Sequence, residues 1–557
     1  MKKTIVVVVT IILALMMLVG VAACGSGSAQ QPQEPVSIPQ ADYQTNYDYS
    51  QPTQTEETKD MGEDKYGGIV KIINTGDFDA PFGHVWVPVA AVHWSTCFSE
   101  GLVNFAQSGT FEPHTAHSWD INMEKQEVTF FLRDDVVFSD GSPLNSEVVE
   151  WNMQMWQKDN RHNEDMLIDQ IRTPDDYTII IPYGNWNNTL FQTFASHSYS
   201  MISMENAMKN GMEYANQNPV GTGPFTLKQH NRGASIVFER NQNYWQQGMP
   251  YMDGVEYHRI TDAMIQNASL MTDDPMDRID FFTTSNPEQV VTLINAGIDF
   301  DYSYARGSGS FVMCPNSMDE ENNPLYDVRV RNAISYAIDR EAICEAKGFG
   351  IWQPARQMTS PGFGGNFAAA DKYGPNHPLL ELATYDPEKS KALLAEAGYP
   401  NGFSIPLRAT IVFQDQLVLI QDMLSKVGIT CDLEFPEAGR ITDLQINGWD
   451  GLLAYNWGQV MNSTISYFIW YHPNHLAYVS AYRPPDYEEI YLQARRSLDI
   501  DNNLMAALDE VVLAGQYYIP VYHNITTYFI RNGLTDSGFK DYTSDTMWSP
   551  WSAYWAK

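Results

Sequence analysis

Apolar residues along this chain recur at two spacings, every second position or every third and fourth, and the switches between them outline its elements. The run "GGIVKIIN", Gly67 to Asn74, is short and β-branched after a glycine pair, so it reads as a buried first strand. A loop rich in Gly, Pro and aromatic residues follows, "TGDFDAPFGHVWVP". "VTFFLRDDVVFSDGSPLNSEVVEWNMQMW" predicts a strand, a second short strand, a turn at Asp140-Gly141-Ser142-Pro143, and a helix capped by Asn145 or Ser146 with Glu147 in its first turn. "YTIIIPY" is another strand. In "NPVGTGPF" the glycines and prolines fix a tight backbone path, after which strands are expected at Phe225 to Gln229 and Ser235 to Arg240. Val330, Ala333, Ile334, Ala337 and Ile338 recur at helical spacing. Pro387 and Gly398 bracket one more helix with an Ala/Leu face. Strands alternating with helices predict an α/β protein.

The first residues follow a different pattern. Lys2 and Lys3 precede an uncharged, mostly apolar run, Thr4 to Ala23, as in an export signal. A transmembrane anchor is the competing reading, because the run is nearly long enough to span a bilayer. Its end, "VAACGSGS", resembles a bacterial lipobox and favours acylation of Cys24 after cleavage. From there to residue 65 the chain is rich in Gln, Pro, Ser and Thr, without a helical or strand period, and reads as a tether.

Composition narrows the function. The chain has 557 residues, 44% of them hydrophobic, enough for a large core and more than one folding unit. Its formal net charge of −34 repels polyanions over the whole surface, which argues against nucleic acid as a partner. The content of 13% aromatic residues argues against disorder as the source of that acidity. Cys97, Cys314, Cys344 and Cys431 are widely spaced, so structural zinc and thioredoxin-like chemistry lose support; buried free thiols are expected over disulfides.

Several stretches, "AHSWDINMEKQEVTFFLRDDVVFSDGSPLNSEVVEW", "NPVGTGPFTLKQ", "ERNQNYW", "NPLYDVRVRNAISYAIDREAI" and "YDPEKSKALLAEAGYPNGF", resemble in order and spacing the landmarks of the extracellular solute-binding proteins of peptide and nickel ABC importers. The resemblance implies a type II periplasmic-binding-protein clamshell with two α/β lobes and an extra domain on the first lobe. On that basis residues 1–23 are the signal peptide and 24–65 the lipidated Cys and tether. The first lobe comprises 66–100, 200–315 and 517–557, the extra domain 101–199, and the second lobe 316–516. The implied function is that of a lipid-anchored receptor, monomeric and without a cofactor. It closes on a small solute, peptide above all, and delivers it to a membrane permease and its ATPase. The landmarks themselves read as structural; Arg329 and Arg331 are expected to be solvated or paired.

The stretch Gly451 to Tyr482 carries no Asp, Glu, Lys or Arg. In peptide-binding relatives a Trp here is followed shortly by an acid that pairs with the α-ammonium group. In this chain Trp457 is followed by Gly458, Gln459, Val460, Met461, Asn462 and Ser463. A buried ammonium without an anion costs several kcal/mol. Tyr455, Asn456, Trp457, Gln459 and Asn462 instead offer aromatic faces and neutral amides, suited to an oligosaccharide or to a peptide held through its backbone. Phe82, His84, Trp86 and Trp94, around the loop after the first strand, are the candidate opposite wall. His114 with His117, and His472 with His475, have chelating spacing but lack a third ligand; a nickel chelate held by aromatics and His84 is a further alternative. An exported hydrolase is the rival class, without a G-x-S-x-G or H-E-x-x-H motif to support it. A surface sensor would use the same clamshell.

Overall fold

The computed structural model describes residues 65–556, apart from 77–91, 106–110, 159–164, 187, 189, 196–200, 305–308, 320, 359–377, 458–477, 498–500, 539–547 and 549. The segments expected to be the export signal, the acylated Cys24 and the tether lie, up to residue 64, outside the described residues. Among the described residues, no helix is long and apolar enough to cross a membrane.

The strands that organise the molecule are, in chain order, β1 (Ile69–Asn74), β2 (Ala116–Asn122), β3 (Glu127–Leu132), β4 (Arg172–Asp175), β5 (Thr178–Pro182), β6 (Phe225–Asn231), β7 (Ser235–Arg240), β8 (Gly254–Arg259), β9 (Phe281–Thr284), β10 (Phe300–Tyr304), β11 (Ser310–Pro315), β12 (Gln353–Pro354), β13 (Phe403–Arg408), β14 (Ile429–Glu434), β15 (Leu452–Trp457), β16 (Ile519–His523) and β17 (Thr527–Arg531). They form a first sheet in the order β10-β17-β9-β1-β8-β7-β6, a second sheet in the order β12-β16-β11-β15-β13-β14, and a smaller antiparallel sheet β2-β3-β5-β4.

The small sheet buries Val128, Phe130, Ile179 and Ile181 against Val149 and Met153 of the helix Ser146–Lys158. Asn145 caps that helix, its Oδ1 accepting from the Val148 N–H at 3.0 Å. The second short strand expected after β3 is reduced to a single bridge between Val137 and Pro143, since proline has no N–H with which to extend a ladder. "NPVGTGPF" returns the chain to the first sheet at β6. A Cβ on Gly221 would fall 1.8 Å from the Phe98 carbonyl oxygen, and the Gly223 N–H donates to that same oxygen at 2.9 Å, so the two segments meet backbone to backbone.

The second sheet is covered on both faces. On one face lie the helices Val328–Ala337, Arg340–Gly348 and Gln414–Ser425, with Val330, Ala333, Ile334, Ala337 and Ile338 fully buried as their spacing predicts. The other face packs against the helices Pro485–Arg496 and Asn502–Gly515. Arg329 is paired with Asp327 at 2.6 Å. Arg331 is buried and paired through hydrogen bonds, not solvated. It is 4% exposed and donates to the backbone carbonyls of Gly515, Leu325 and Tyr326, each at 2.7 Å, so it ties two chain segments together. Cys97, Cys314, Cys344 and Cys431 are buried free thiols.

Sheet membership moves the lobe boundaries expected from sequence. β11 and β16 were assigned to the first lobe, yet both are hydrogen-bonded inside the second sheet. The chain therefore passes between the sheets twice, from β10 to β11 and from β16 to β17. Tyr304 pairs with Thr527 on one side of this crossover and Ser310 with His523 on the other. Between them the Asn524 N–H donates to the Gly309 carbonyl at 3.0 Å. At the described ends of the crossover the two segments thus run antiparallel and side by side.

Candidate functional site

The edge of the second sheet nearest the crossover is a row of residues brought from four segments. Gln353 pairs with His523, His523 with Ser310, and Ser310 with residue 457. One step further into the sheet, Asn456 pairs with Phe311 and Tyr455 with Val312. Three of the residues singled out in sequence, 455 to 457, therefore end β15 at this edge, beside the crossover. The side chain of Trp457, all of Gln459 and Asn462, and Phe82, His84 and Trp86 lie outside the described residues, as do His472 and His475.

Two side-chain oxygens at this edge are buried without a hydrogen-bond partner: Oδ1 of Asn456 and Oδ1 of Asn524. Such an acceptor costs about 1–3 kcal/mol, recovered when a donor reaches it. Asn456 was a candidate from its position in the neutral stretch. Asn524 was not, although its segment carried a signal: after Pro520, "VYHNITTYFI" is one long β-prone run with a polar Asn inside it and no Gly or Pro to turn it, as suits a strand that changes sheets.

The other two described candidates have packing roles. Tyr455 stacks on Tyr478 with ring centroids 5.3 Å apart, and burial pushes its hydroxyl well above the ordinary tyrosine range. Trp94 is 1% exposed in the core of the first sheet, edge-on to Tyr257 at 6.2 Å. A ring so enclosed has no face to offer a solute, so Trp94 belongs to the core and not to the candidate wall.

At the crossover His523 is 2% exposed, and its Nδ1 lies 2.8 Å from the Ser310 hydroxyl. That hydroxyl donates to the Met358 carbonyl at 2.8 Å. Burial lowers the His523 pKa to about 3, so the ring is neutral at physiological pH. The chelating spacing of His114 and His117 comes to nothing: His114 lies 3.1 Å from Glu100, and His117 meets Ser118 at 2.9 Å. Among the described residues no group of three His, Cys, Asp or Glu is placed to hold a metal. A polar cavity of about 340 Å³ opens beyond the far end of β17, lined by Asp301, Arg531, Thr535 and Asp536 among others, away from the crossover.

Residues 110–477 match the family described as bacterial extracellular solute-binding proteins, family 5 Middle. The glutathione-binding protein GsiB of Salmonella typhi is 27% identical over 350 residues, which is 62% of this chain and 64% of that relative; the chain spans just under two thirds of its length. Among solved structures, the ABC transporter-associated periplasmic binding protein DppA from Helicobacter pylori, in complex with the peptide STSA, superposes with a TM-score of 0.70 at 20% identity, covering 89% of this chain and 99% of that one. NikA from Brucella suis, in complex with Fe(III)-EDTA, gives 0.72 at 20% identity, covering 87% and 100%. These likenesses carry the fold, the α/β architecture of periplasmic binding proteins.

Proposed function

The chain belongs to the bacterial extracellular solute-binding proteins of family 5, and from that premise we propose that it is a lipid-anchored receptor of an ABC importer, closing on a peptide at the crossover between its two sheets and delivering it to a membrane permease. The observation that carries this reading is the pair of buried, unpartnered oxygens of Asn456 and Asn524 beside the crossover. Acceptors held dry beside a hinge suit a solute with N–H donors, whose binding favours the closed state by its differential affinity. Residues 455–457, 459 and 462 form one wall in this reading, and Phe82, His84 and Trp86 the other. No covalent chemistry is required. The anchor is Cys24, the working location the extracytoplasmic face of the membrane, and the working state a monomer.

A second reading, an oligosaccharide in the same place, is favoured by the absence of any charged residue between Gly451 and Tyr482. A thermal-shift screen of the full chain in mild detergent separates the two, run against di- to pentapeptides, glutathione, α- and β-linked oligosaccharides and nickel with small chelators. A ligand at a hundred times its dissociation constant adds about 2.7 kcal/mol of stability. Stabilisation by peptides supports the first reading. Stabilisation by sugars alone, abolished in Trp457→Ala, supports the second, and no response to either class removes both. Labelling with radioactive palmitate, lost in Cys24→Ala, tests the anchor.

A further inference from the structure

We propose that the C-terminal end of the helix Pro485–Arg496 is a clasp: donors from the small-sheet domain complete it when the clamshell closes, so the closed form has a hold of its own away from the solute. This rests on the receptor reading above and adds to it a device that sets how much of the protein is closed.

The clasp joins two bodies. The small-sheet domain is fastened to the first sheet: Glu100, just after the helix Val92–Phe98, binds Tyr244 and Trp245 on one side and His114 on the other, and the Ser139 N–H donates to the Gly221 carbonyl at 2.9 Å. The helix Pro485–Arg496 belongs to the second body, where its Tyr487, Tyr491 and Ala494 are buried with Val312 and Leu453 of the second sheet. The chain links these bodies at the crossover.

Away from that link, side chains 306 to 330 positions apart bridge the two bodies. The Asn188 N–H donates to the Arg495 carbonyl at 2.9 Å, and Asn188 Nδ2 donates to the Ala494 carbonyl at 2.9 Å. Trp186 Nε1 donates to the Ser497 carbonyl at 3.1 Å, and Arg495 Nη2 donates to Asp165 Oδ2 at 3.3 Å. Trp186 is anchored in the core of the small-sheet domain, and the Gly184 N–H holds the Asp165 carbonyl at 2.8 Å, so these donors and acceptors move with that domain. The carbonyls they meet lie at or just past the end of a helix, where no further turn supplies donors. The helix ends in extended backbone at Ser497, φ −69° and ψ 148°, without the left-handed residue that folds following N–H groups back onto the last turn. Its own chain contributes the Ser497 hydroxyl to the Ala494 carbonyl at 2.7 Å; the small-sheet domain supplies the rest of this cap from outside.

Bonds that span two hinged bodies are in register at one hinge angle. Rotation about the crossover draws them apart and returns both partners to water, so the clasp favours the closed form whatever the solute. Apparent affinity scales with the population of the binding-competent form, and the clasp therefore raises the affinity for every solute by one factor. None of its residues belongs to the edge built from Gln353, His523, Ser310 and residue 457, so it strengthens binding without selecting what is bound.

Hydrogen exchange and calorimetry on the full chain in mild detergent test this. Saturation with tri-alanine, or with cellotriose if only sugars stabilise the wild type, should slow exchange of the Asn188 amide about tenfold more than that of amides in the middle of β3, which report on one body alone. An Asn188 amide that gains no more protection than β3 makes the contact a fixed seam and overturns the inference. Trp186→Phe, which keeps an aromatic ring and loses the donor, combined with Asn188→Ala should weaken binding about threefold to tenfold, by the same factor for tri-alanine and glutathione, or for cellotriose and maltotriose. If that pair does not fold, Asn188→Ala with Asp165→Asn takes its place. Affinity within about twofold of the wild type overturns the clasp and leaves the receptor reading standing, as does a loss confined to one solute of the two. A wild type that binds no probe overturns the receptor reading, and this inference with it.

Discussion

Two buried polar clusters in this protein are built to opposite rules. At the junction between the first sheet and the small sheet, the Glu100 carboxylate, 2% exposed, accepts from Tyr244 at 2.7 Å and from Trp245 at 2.8 Å and lies 3.1 Å from His114. Burial alone would raise its pKa, but the charge of His114 and the three hydrogen bonds outweigh it and hold the carboxyl below its ordinary range. His114 is itself wedged against the rings of Trp245 and Trp551. At the crossover, by contrast, Asn456 and Asn524 each keep a buried oxygen without a donor. A completed network holds domains together; an incomplete one leaves its free energy to be recovered on binding.

The contrast is sharpest at Glu100. Replacing it by Ala leaves the Tyr244, Trp245 and His114 donors without an acceptor, and urea unfolding should show a loss of about 3–5 kcal/mol with no change in solute affinity. A weakened affinity would mean that the two clusters are coupled. The sign of the pH effect follows from the lowered pKa: the stability contributed by Glu100 is present above the unfolded carboxyl's range and is lost as pH falls through the folded value. Glu100→Gln should therefore flatten the acid side of the urea midpoint profile.

Asp509 tests whether an unsatisfied group away from the crossover also matters for binding. It is 1% exposed, its Oδ1 has no partner, and burial, with a smaller contribution from Glu510, raises its pKa to about 8. The folded protein then keeps a proton that the unfolded chain releases in the ordinary carboxylate range, so stability declines as pH rises from there through about 8. Asp509→Asn should gain about 1–3 kcal/mol at pH 9 over the wild type, nothing at pH 4, and leave solute affinity untouched. At the crossover the expectation reverses. Asn456→Leu should leave the ligand-free protein as stable or about 1 kcal/mol more so, because an unpaired acceptor is gone, while calorimetry shows affinity falling about tenfold. The smallest effect belongs to the exposed Arg329, paired with Asp327 on the surface. Arg329→Ala should change neither the urea midpoint nor the affinity measurably.

Much of the fold was legible because it is written at short range. The cap at Asn145, the buried stripe from Val330 to Ile338 and the proline start at Pro387 appear where the pattern places them. The site was legible only in part. The neutral stretch pointed to Tyr455 and Asn456, but nothing local distinguished the Tyr that stacks in the core from the Asn left without a donor. Trp94 went the other way, its ring enclosed by strands far along the chain. Arg331 looked like any helix-surface arginine until the segment around Gly515 was folded over it.

The sequence by itself determined the α/β class, the family, the helix ends and the faces that turn inward, since periods of two and 3.6 residues and capping side chains act within a few positions. The tertiary structure alone decided that β11 and β16 leave the first sheet for the second, that Ser310 meets His523 across 213 positions, and which amide oxygens stay dry without a partner. Those outcomes depend on hydrogen bonds between strands distant in the chain, and a strand's own alternation is the same whichever sheet it joins.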